Sequence, residues 1–257
     1  MKVIILAGGW GSRLGTQTEN IPKPMIEIGS KPVLWHIMKI YSHYGLNDFI
    51  VSCGVNANVI KNYFMNYELY NEDLTIYMDS RKVKYHKKYI EKKWKVTLSD
   101  TGLDTLKGAR IKRVEKYLDE EVNMITYGDG VADIDIKKLE KFHKSHGKTI
   151  TLTGVHPPAR FGEIIEKDGK VISFEEKPQT SVGLINGGFM VFNKKLLTYL
   201  SIDETCDFES GPLEELAKKG EVMVYKHPGK WGCMDHLRDV QLLNNLWNSN
   251  QAFWKVW

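Results

Sequence analysis

Residues 3–15 read Val-Ile-Ile-Leu-Ala-Gly-Gly-Trp-Gly-Ser-Arg-Leu-Gly, and residues 21–25 read Ile-Pro-Lys-Pro-Met. The run from Val3 to Ala7 is short, apolar and rich in β-branched residues, and it stops at two glycines. That is the pattern of a strand buried on both faces of a parallel sheet. Gly8, Gly9 and Gly11 follow at once. Lacking a Cβ, they allow positive φ and let a ligand approach the backbone. A glycine loop at the carboxyl end of a first parallel strand turns its N–H groups toward one point, which suits phosphate. Arg13 and Lys23 add two cations, and Pro22 and Pro24 stiffen the chain on either side of Lys23. Neither the Walker order Gly-x-x-x-x-Gly-Lys-Ser/Thr nor the dinucleotide order Gly-x-Gly-x-x-Gly is present. The glycines alone also fit a tight turn with ordinary surface cations; Arg13 and the Pro-Lys-Pro arm tip the reading toward a nucleoside triphosphate site.

Outward from this stretch, the chain alternates strands and helices. After Ser30, a candidate N-cap, and Pro32, a helix is expected to residue 44, with Val33, Ile37, Ile40 and Tyr41 inward and a stop at Gly45. Strands are expected at 49–53, 74–78, 96–99, 124–127, 150–155, 185–192 and 222–225. Helices are expected at 59–65, 107–117, 135–146, 213–218 and 235–248. Segments 163–166 and 170–174 flank Asp168-Gly169, a strong hairpin signal. This order implies a mainly parallel sheet with right-handed crossovers. No linker, repeat or low-complexity segment interrupts it, so a single domain over 1–257 is expected, with hairpin insertions.

With 42% hydrophobic and 26% charged residues, the 257-residue chain has the composition of a folded globular enzyme rather than a disordered one. No apolar run reaches the roughly 20 residues that span a bilayer, and no signal-peptide pattern precedes the first strand. Cys53, Cys206 and Cys233 are odd in number and far apart, which suggests reduced thiols and a cytoplasmic setting without a membrane partner. The net charge of +4 suits anionic nucleotides and is too small to imply nucleic acid. Residues 81–95 are denser in cations, with Tyr85, Tyr89 and Trp94 among them. A solvated hairpin or a contact between subunits explains this better than RNA binding.

Residues 6–14 with Lys23-Pro24 resemble the signature of the sugar-phosphate nucleotidyltransferases, and the likeness covers nearly the whole chain. Residues 31–39 (Lys-Pro-Val-Leu-Trp-His-Ile-Met-Lys), 126–133 (Thr-Tyr-Gly-Asp-Gly-Val-Ala-Asp) and 186–189 (Asn-Gly-Gly-Phe) resemble the cytidylyl branch. So do Met234-Asp235 and Arg238-Asp239. The resemblance implies a Rossmann-like three-layer α/β sandwich with a mainly parallel mixed sheet. It implies a nucleotide-binding half over 1–130 and a sugar-phosphate half over 131–257. The implied reaction joins CTP and glucose 1-phosphate to give CDP-glucose and pyrophosphate with Mg²⁺, in a homo-oligomer supplying deoxysugars for surface polysaccharide such as O-antigen; the alternatives are a thymidylyl- or guanylyltransferase on another hexose 1-phosphate and a sugar-nucleotide-sensing subunit without catalysis.

Such transfer brings two anions together, so cations must offset charge and hold the groups in line. Asp129, between two glycines at a strand end, is placed where α/β folds bind ligands, although a Gly-flanked turn aspartate looks the same. Asp235 begins the last helix and, on the residues alone, reads as its N-cap. The resemblance gives both to the metal. It also places Leu6, Ala7, Gly8, Gly9, Trp10, Gly11, Ser12, Arg13, Lys23 and Gly128 around the nucleotide, Arg13 on the leaving pyrophosphate and Lys23 on the nucleotide phosphates. Lys177 would position the sugar phosphate, with Glu176 on the sugar hydroxyls and Arg160, Phe161, Gly162, Asn186 and Gly187 completing the pocket. Each has a plain alternative: a solvated hairpin lysine, an ordinary loop, a bulge. Residues 100–110 occupy the base-recognition region. There Thr105 and Arg110 would bond the cytosine edge and Gly108 would allow approach, or Thr105 would only cap a helix. Two departures are visible: Ser12 where the family has threonine, and Gly232-Cys233 where proline is usual. No histidine set has metal-ligand spacing.

Overall fold

The structure, a computed structural model, describes residues 1–12, 14–15, 20–86, 91, 93–157, 163–175 and 183–257. Seven strands form one sheet: β1 (Val3–Ala7), β2 (Asp48–Cys53), β3 (Lys95–Asp100), β4 (Val122–Tyr127), β5 (Ile150–Val155), β6 (Ile185–Asn193) and β7 (Val222–Lys226). Their order is β7-β5-β6-β4-β1-β2-β3. β1 lies parallel to β2 and β4, β2 to β3, and β5 to β7, while β6 runs antiparallel to both β4 and β5. The sheet is therefore mixed and mainly parallel, as expected.

The reason that β1 reads as an unbroken apolar run is visible in its alternation. Val3, Ile5 and Ala7 enter one core, and Ile4 and Leu6 enter a second core on the other face. Both cores are covered by helices. On the first face pack α1 (Val33–His43), α2 (Ala57–Met65), α4 (Ile136–His146) and α5 (Leu237–Asn248), through residues such as Ile37, Ile60, Leu139 and Leu243. On the second lie α3 (Lys107–Arg113), through Ile111, and the short helices carrying Leu196, Leu197 and Leu216. These are the three layers. Segment 74–77 leaves the sheet. It pairs with Lys82–Tyr85 as a separate ribbon, with Ile76 and Met78 exposed. The Asp168-Gly169 hairpin forms with φ of 52° and 77°, as a two-residue loop requires.

Helix ends follow the chain chemistry, with one correction. Ser30 does not cap α1. It lies between the two-residue strands Glu27–Ile28 and Lys31–Pro32, and Pro32 itself takes the cap position with φ −62° and ψ 149°. At α4 the Asp135 carboxylate accepts from the Lys138 N–H at 3.0 Å.

The aromatic residues near the C-terminus are spent within the chain. Trp254 is fully buried and donates from Nε1 to Nδ1 of His36 at 3.3 Å, and His36 Nε2 donates to the Ile28 carbonyl at 2.9 Å. The rings of Trp35 and Trp247 stand edge-on to the imidazole. Burial drives the His36 pKa down to about 4, so the ring is neutral. Among the described residues, no helix is long and apolar enough to cross a membrane.

Candidate active site

Strand order reverses direction at β1: β2 and β3 lie on one side, β4 and β6 on the other. In open α/β sheets such a switch point leaves a crevice beyond the carboxyl ends of the strands. Here the loop after β1 and the Gly128-Asp129 turn after β4 line a cavity of about 580 Å³. Leu6 through Ser12, Lys23, Thr105, Arg110, Gly128, Asp129, Asn186 and Asp235 all line it. Gly108 and Gly187 do not. Arg13, Arg160, Phe161, Gly162, Glu176 and Lys177 lie outside the described residues.

The Pro-Lys-Pro arm is anchored by its second proline. Lys23–Met25 forms a 3₁₀ turn whose Pro24 and Met25 are buried. Pro24 sits against Gly128, where a Cβ would come within 2.8 Å of its Cγ. The glycine is thus required by the arm itself. From this seat the Lys23 ammonium reaches Asp129 Oδ2 and Asp235 Oδ1, each at 2.5 Å. Burial lowers the Lys23 pKa, but the two carboxylates together outweigh it and leave the group raised and charged.

Asp235 arrives through an element that local sequence patterns do not announce. Gly130–Ala132 pairs antiparallel with Trp231–Cys233, and the Met234 N–H donates to the Asp129 carbonyl at 3.0 Å. The alternative role for Asp235 as a helix cap falls away. His236 is the N-cap of α5, and the Asp239 carboxylate accepts from the N–H groups of Asp235 and His236 at 3.1 and 2.8 Å. The Asp235 side chain is left to face Lys23. Cys233 lines the same cavity, but burial and the neighbouring Asp129 and Asp235 push its thiol up to about 12, so it offers no thiolate.

In the base-recognition region the assignments of Arg110 and Gly108 change, and the alternative reading of Thr105 as a helix cap falls away. Arg110 is buried, and its terminal nitrogens donate to protein oxygens: Nη1 to Cys53 O, Thr101 Oγ1 and Gly102 O, and Nη2 to Gly8 O and Leu103 O. These four N–H groups tie loop ends together and are not free for a cytosine edge. The guanidinium also explains Gly8, where a Cβ would collide with it. Thr105 caps nothing, since Leu106 is the N-cap of α3; its hydroxyl accepts from Arg113 Nη1 at 3.0 Å. A Cβ on Gly108 would meet the carbonyls of Cys206 and Asp207 at 2.8 Å, so this glycine serves helix packing rather than ligand approach. Gly187 likewise lies against Val155.

The opposite wall holds Asn186, expected there from the sequence, together with three residues that sequence reasoning did not assign to the site. Tyr127 Oη donates to Glu209 Oε1 at 2.6 Å, Lys107 Nζ stands 2.5 Å from the same oxygen, and Asn186 Nδ2 donates to Tyr127 Oη at 3.2 Å. All four line the cavity. Burial, and then the Glu209 charge, push the Tyr127 pKa up, so the phenol keeps its proton. The Thr-Tyr-Gly-Asp run put Tyr127 beside Asp129 in the sequence; nothing local marked Glu209 or Lys107.

Mg²⁺ takes hard oxygen ligands and is held by one or two carboxylates with substrate phosphates completing the shell. Asp129 and Asp235 fit that donor set, because they already converge on one cationic atom. Among the described residues no group of three or more His, Cys, Asp or Glu forms an all-protein metal cage.

The nucleotidyl transferase family profile matches residues 2–252. The glucose-1-phosphate cytidylyltransferase of Salmonella typhimurium is 50% identical over 258 residues, covering 100% of both chains. A Bacillus subtilis protein named "Probable glucose-1-phosphate cytidylyltransferase" is 42% identical over 257 residues, again covering 100% of each. HddC from Yersinia pseudotuberculosis, solved with GMP-PN, shares the fold with a TM-score of 0.68 at 24% identity, covering 96% of this chain and 99% of its own. A glycine loop, a proline-held lysine and paired carboxylates at the switch point, carried on a chain matched from end to end, place this protein in the nucleotidyl transferase family.

Proposed function

We propose that the chain joins CTP and glucose 1-phosphate to give CDP-glucose and pyrophosphate. The observation that carries the reading is the convergence of Asp129 and Asp235 on one cationic point beside the β1 glycine loop. The choice of CTP and glucose 1-phosphate rests on the relatives that match this chain along its whole length. An oxygen of the sugar phosphate attacks the α-phosphorus, the bond to the bridging oxygen breaks, and pyrophosphate leaves with that electron pair.

Each residue then has a task that follows from its place. N–H groups of the Gly8–Ser12 loop face the triphosphate, and Lys23 supplies a positive charge beside it. The nucleoside lies toward β2 and β3, against Trp10 and residues 103–106. The sugar lies toward β4 and β6, where Tyr127, Asn186 and Glu209 offer a hydroxyl, an amide and a carboxylate to a polyol. Arg13 would stabilise the departing pyrophosphate and Lys177 would hold the nucleophile, with Glu176, Arg160, Phe161 and Gly162 around the sugar. Mg²⁺ held by Asp129 and Asp235 would neutralise phosphate charge as it develops. Cytoplasmic location, assembly as a homo-oligomer and supply of deoxysugar for surface polysaccharide belong to the same reading.

The test is a panel of CTP, UTP, dTTP and GTP against several hexose 1-phosphates, with released pyrophosphate as the signal. CTP with glucose 1-phosphate should give the highest kcat/KM. A kcat/KM for dTTP equal to or above that for CTP overturns the base assignment.

A further inference from the structure

The Lys23 ammonium lies where Asp129 and Asp235 converge, 2.5 Å from an oxygen of each. Those carboxylates are only 26% and 29% exposed, so without a cation between them they would repel in a partly dry cavity. A divalent cation and an ammonium cannot occupy the same point between the same two oxygens. The backbone of Lys23 is not free to retreat: Pro22 and Pro24 flank it, and Pro24 is wedged against Gly128. Its four-carbon stem is the part that can swing, and the glycine loop that would carry nucleotide phosphates lines the same cavity.

We propose that Lys23 is a built-in counter-cation, which keeps the Asp129–Asp235 pair assembled and moves to the nucleotide phosphates when a divalent cation takes its place. This rests on the nucleotidyl-transfer reading of those carboxylates. Lys23 and the aspartates together keep one negative charge, which draws a cation weakly. Once a nucleotide offers the ammonium a second set of anions, Lys23 gives up the pair at little cost. Metal and nucleotide are thereby coupled through one side chain, each making room for the other.

The experiment measures Mn²⁺ binding by electron paramagnetic resonance, with and without CTP. It uses the parent chain, Lys23→Met, and Lys23→Met combined with Asp235→Asn. The parent should bind Mn²⁺ weakly alone and more tightly with CTP. Lys23→Met should bind Mn²⁺ about tenfold more tightly than the parent without nucleotide, because an internal competitor has been removed. The double variant should lose that gain. Equal Mn²⁺ affinity in the parent and Lys23→Met overturns the proposal. A parent that binds no Mn²⁺ even with CTP overturns instead the reading of Asp129 and Asp235 as metal ligands. Should Lys23→Met fail to fold, acylation of Lys23 in the parent, mapped by mass spectrometry, serves in its place. Saturating Mn²⁺ should raise the reactivity of Lys23 severalfold, and unchanged protection overturns the proposal.

Discussion

Four N–H groups of Arg110 end on oxygens at the loops that follow β1, β2 and β3. Truncating such a buried cation leaves several carbonyls without donors, so Arg110→Met should lower stability by about 2–3 kcal/mol, read from denaturant unfolding. Because the guanidinium shapes the glycine loop through Gly8, the same variant should raise KM for every nucleotide in similar proportion. A loss confined to CTP would restore Arg110 as a reader of the base. The contrast with Lys23, Asp129 and Asp235 shows what was legible in the sequence. Lys23 stands between two prolines and Asp129 between two glycines, which marked both as candidates, whereas Asp235 read locally as a helix cap and only the family resemblance gave the two aspartates to a metal. Arg110 sits in an ordinary helical stretch, where a guanidinium bound for ligand and one bound for carbonyls look alike. Glu209 is harder still, since it opens an irregular turn in which Gly211 has φ 100°. Its partners Tyr127 and Lys107 are distant in sequence.

At the scale of elements, the strands and helices of the sheet could be read from hydrophobic period and from glycine and proline stops, to within a few residues. Two things could not. The Gly130–Ala132 and Trp231–Cys233 strands are three residues each, too short for any period to show. The pairing of 74–77 with 82–85 away from the sheet depends on tertiary context rather than on propensity. The packing of α1 against the C-terminal tryptophans gives a pH prediction. The folded His36 pKa of about 4 lies below the unfolded value near 6.5, so the unfolded chain takes up the proton first. His36 therefore costs nothing above pH 6.5, and stability is lost as pH falls from 6.5 toward 4. Between pH 7 and pH 5 the loss is about 2 kcal/mol. Over that interval the Tm of His36→Phe should fall by about 5 °C less than that of the parent. Parallel pH profiles for the two chains would show that His36 does not titrate in this window.

For the molecule as a whole, the sheet order was not recoverable from the chain, although its mixed and mainly parallel character was. Nothing in residues 185–193 says that β6 enters between β4 and β5 against their direction; that is decided by what the neighbouring strands leave to be filled. The ends of the binding crevice inherit this arrangement, with β1 to β3 bounding one side and β4 and β6 the other.

The two contacts of Lys23 with its aspartates span 106 and 212 residues of chain. Contacts this remote close late, because loop-closure entropy must be met before they give anything back. Helices, whose hydrogen bonds are local, can therefore be in place in a chain that still has no cation site. On dilution from denaturant, recovery of Mn²⁺ binding should lag the recovery of helical circular dichroism, and simultaneous recovery would show that the site forms with the first collapse. Competence to capture a metal then becomes a certificate of completed folding, issued only to molecules whose early and late segments have met.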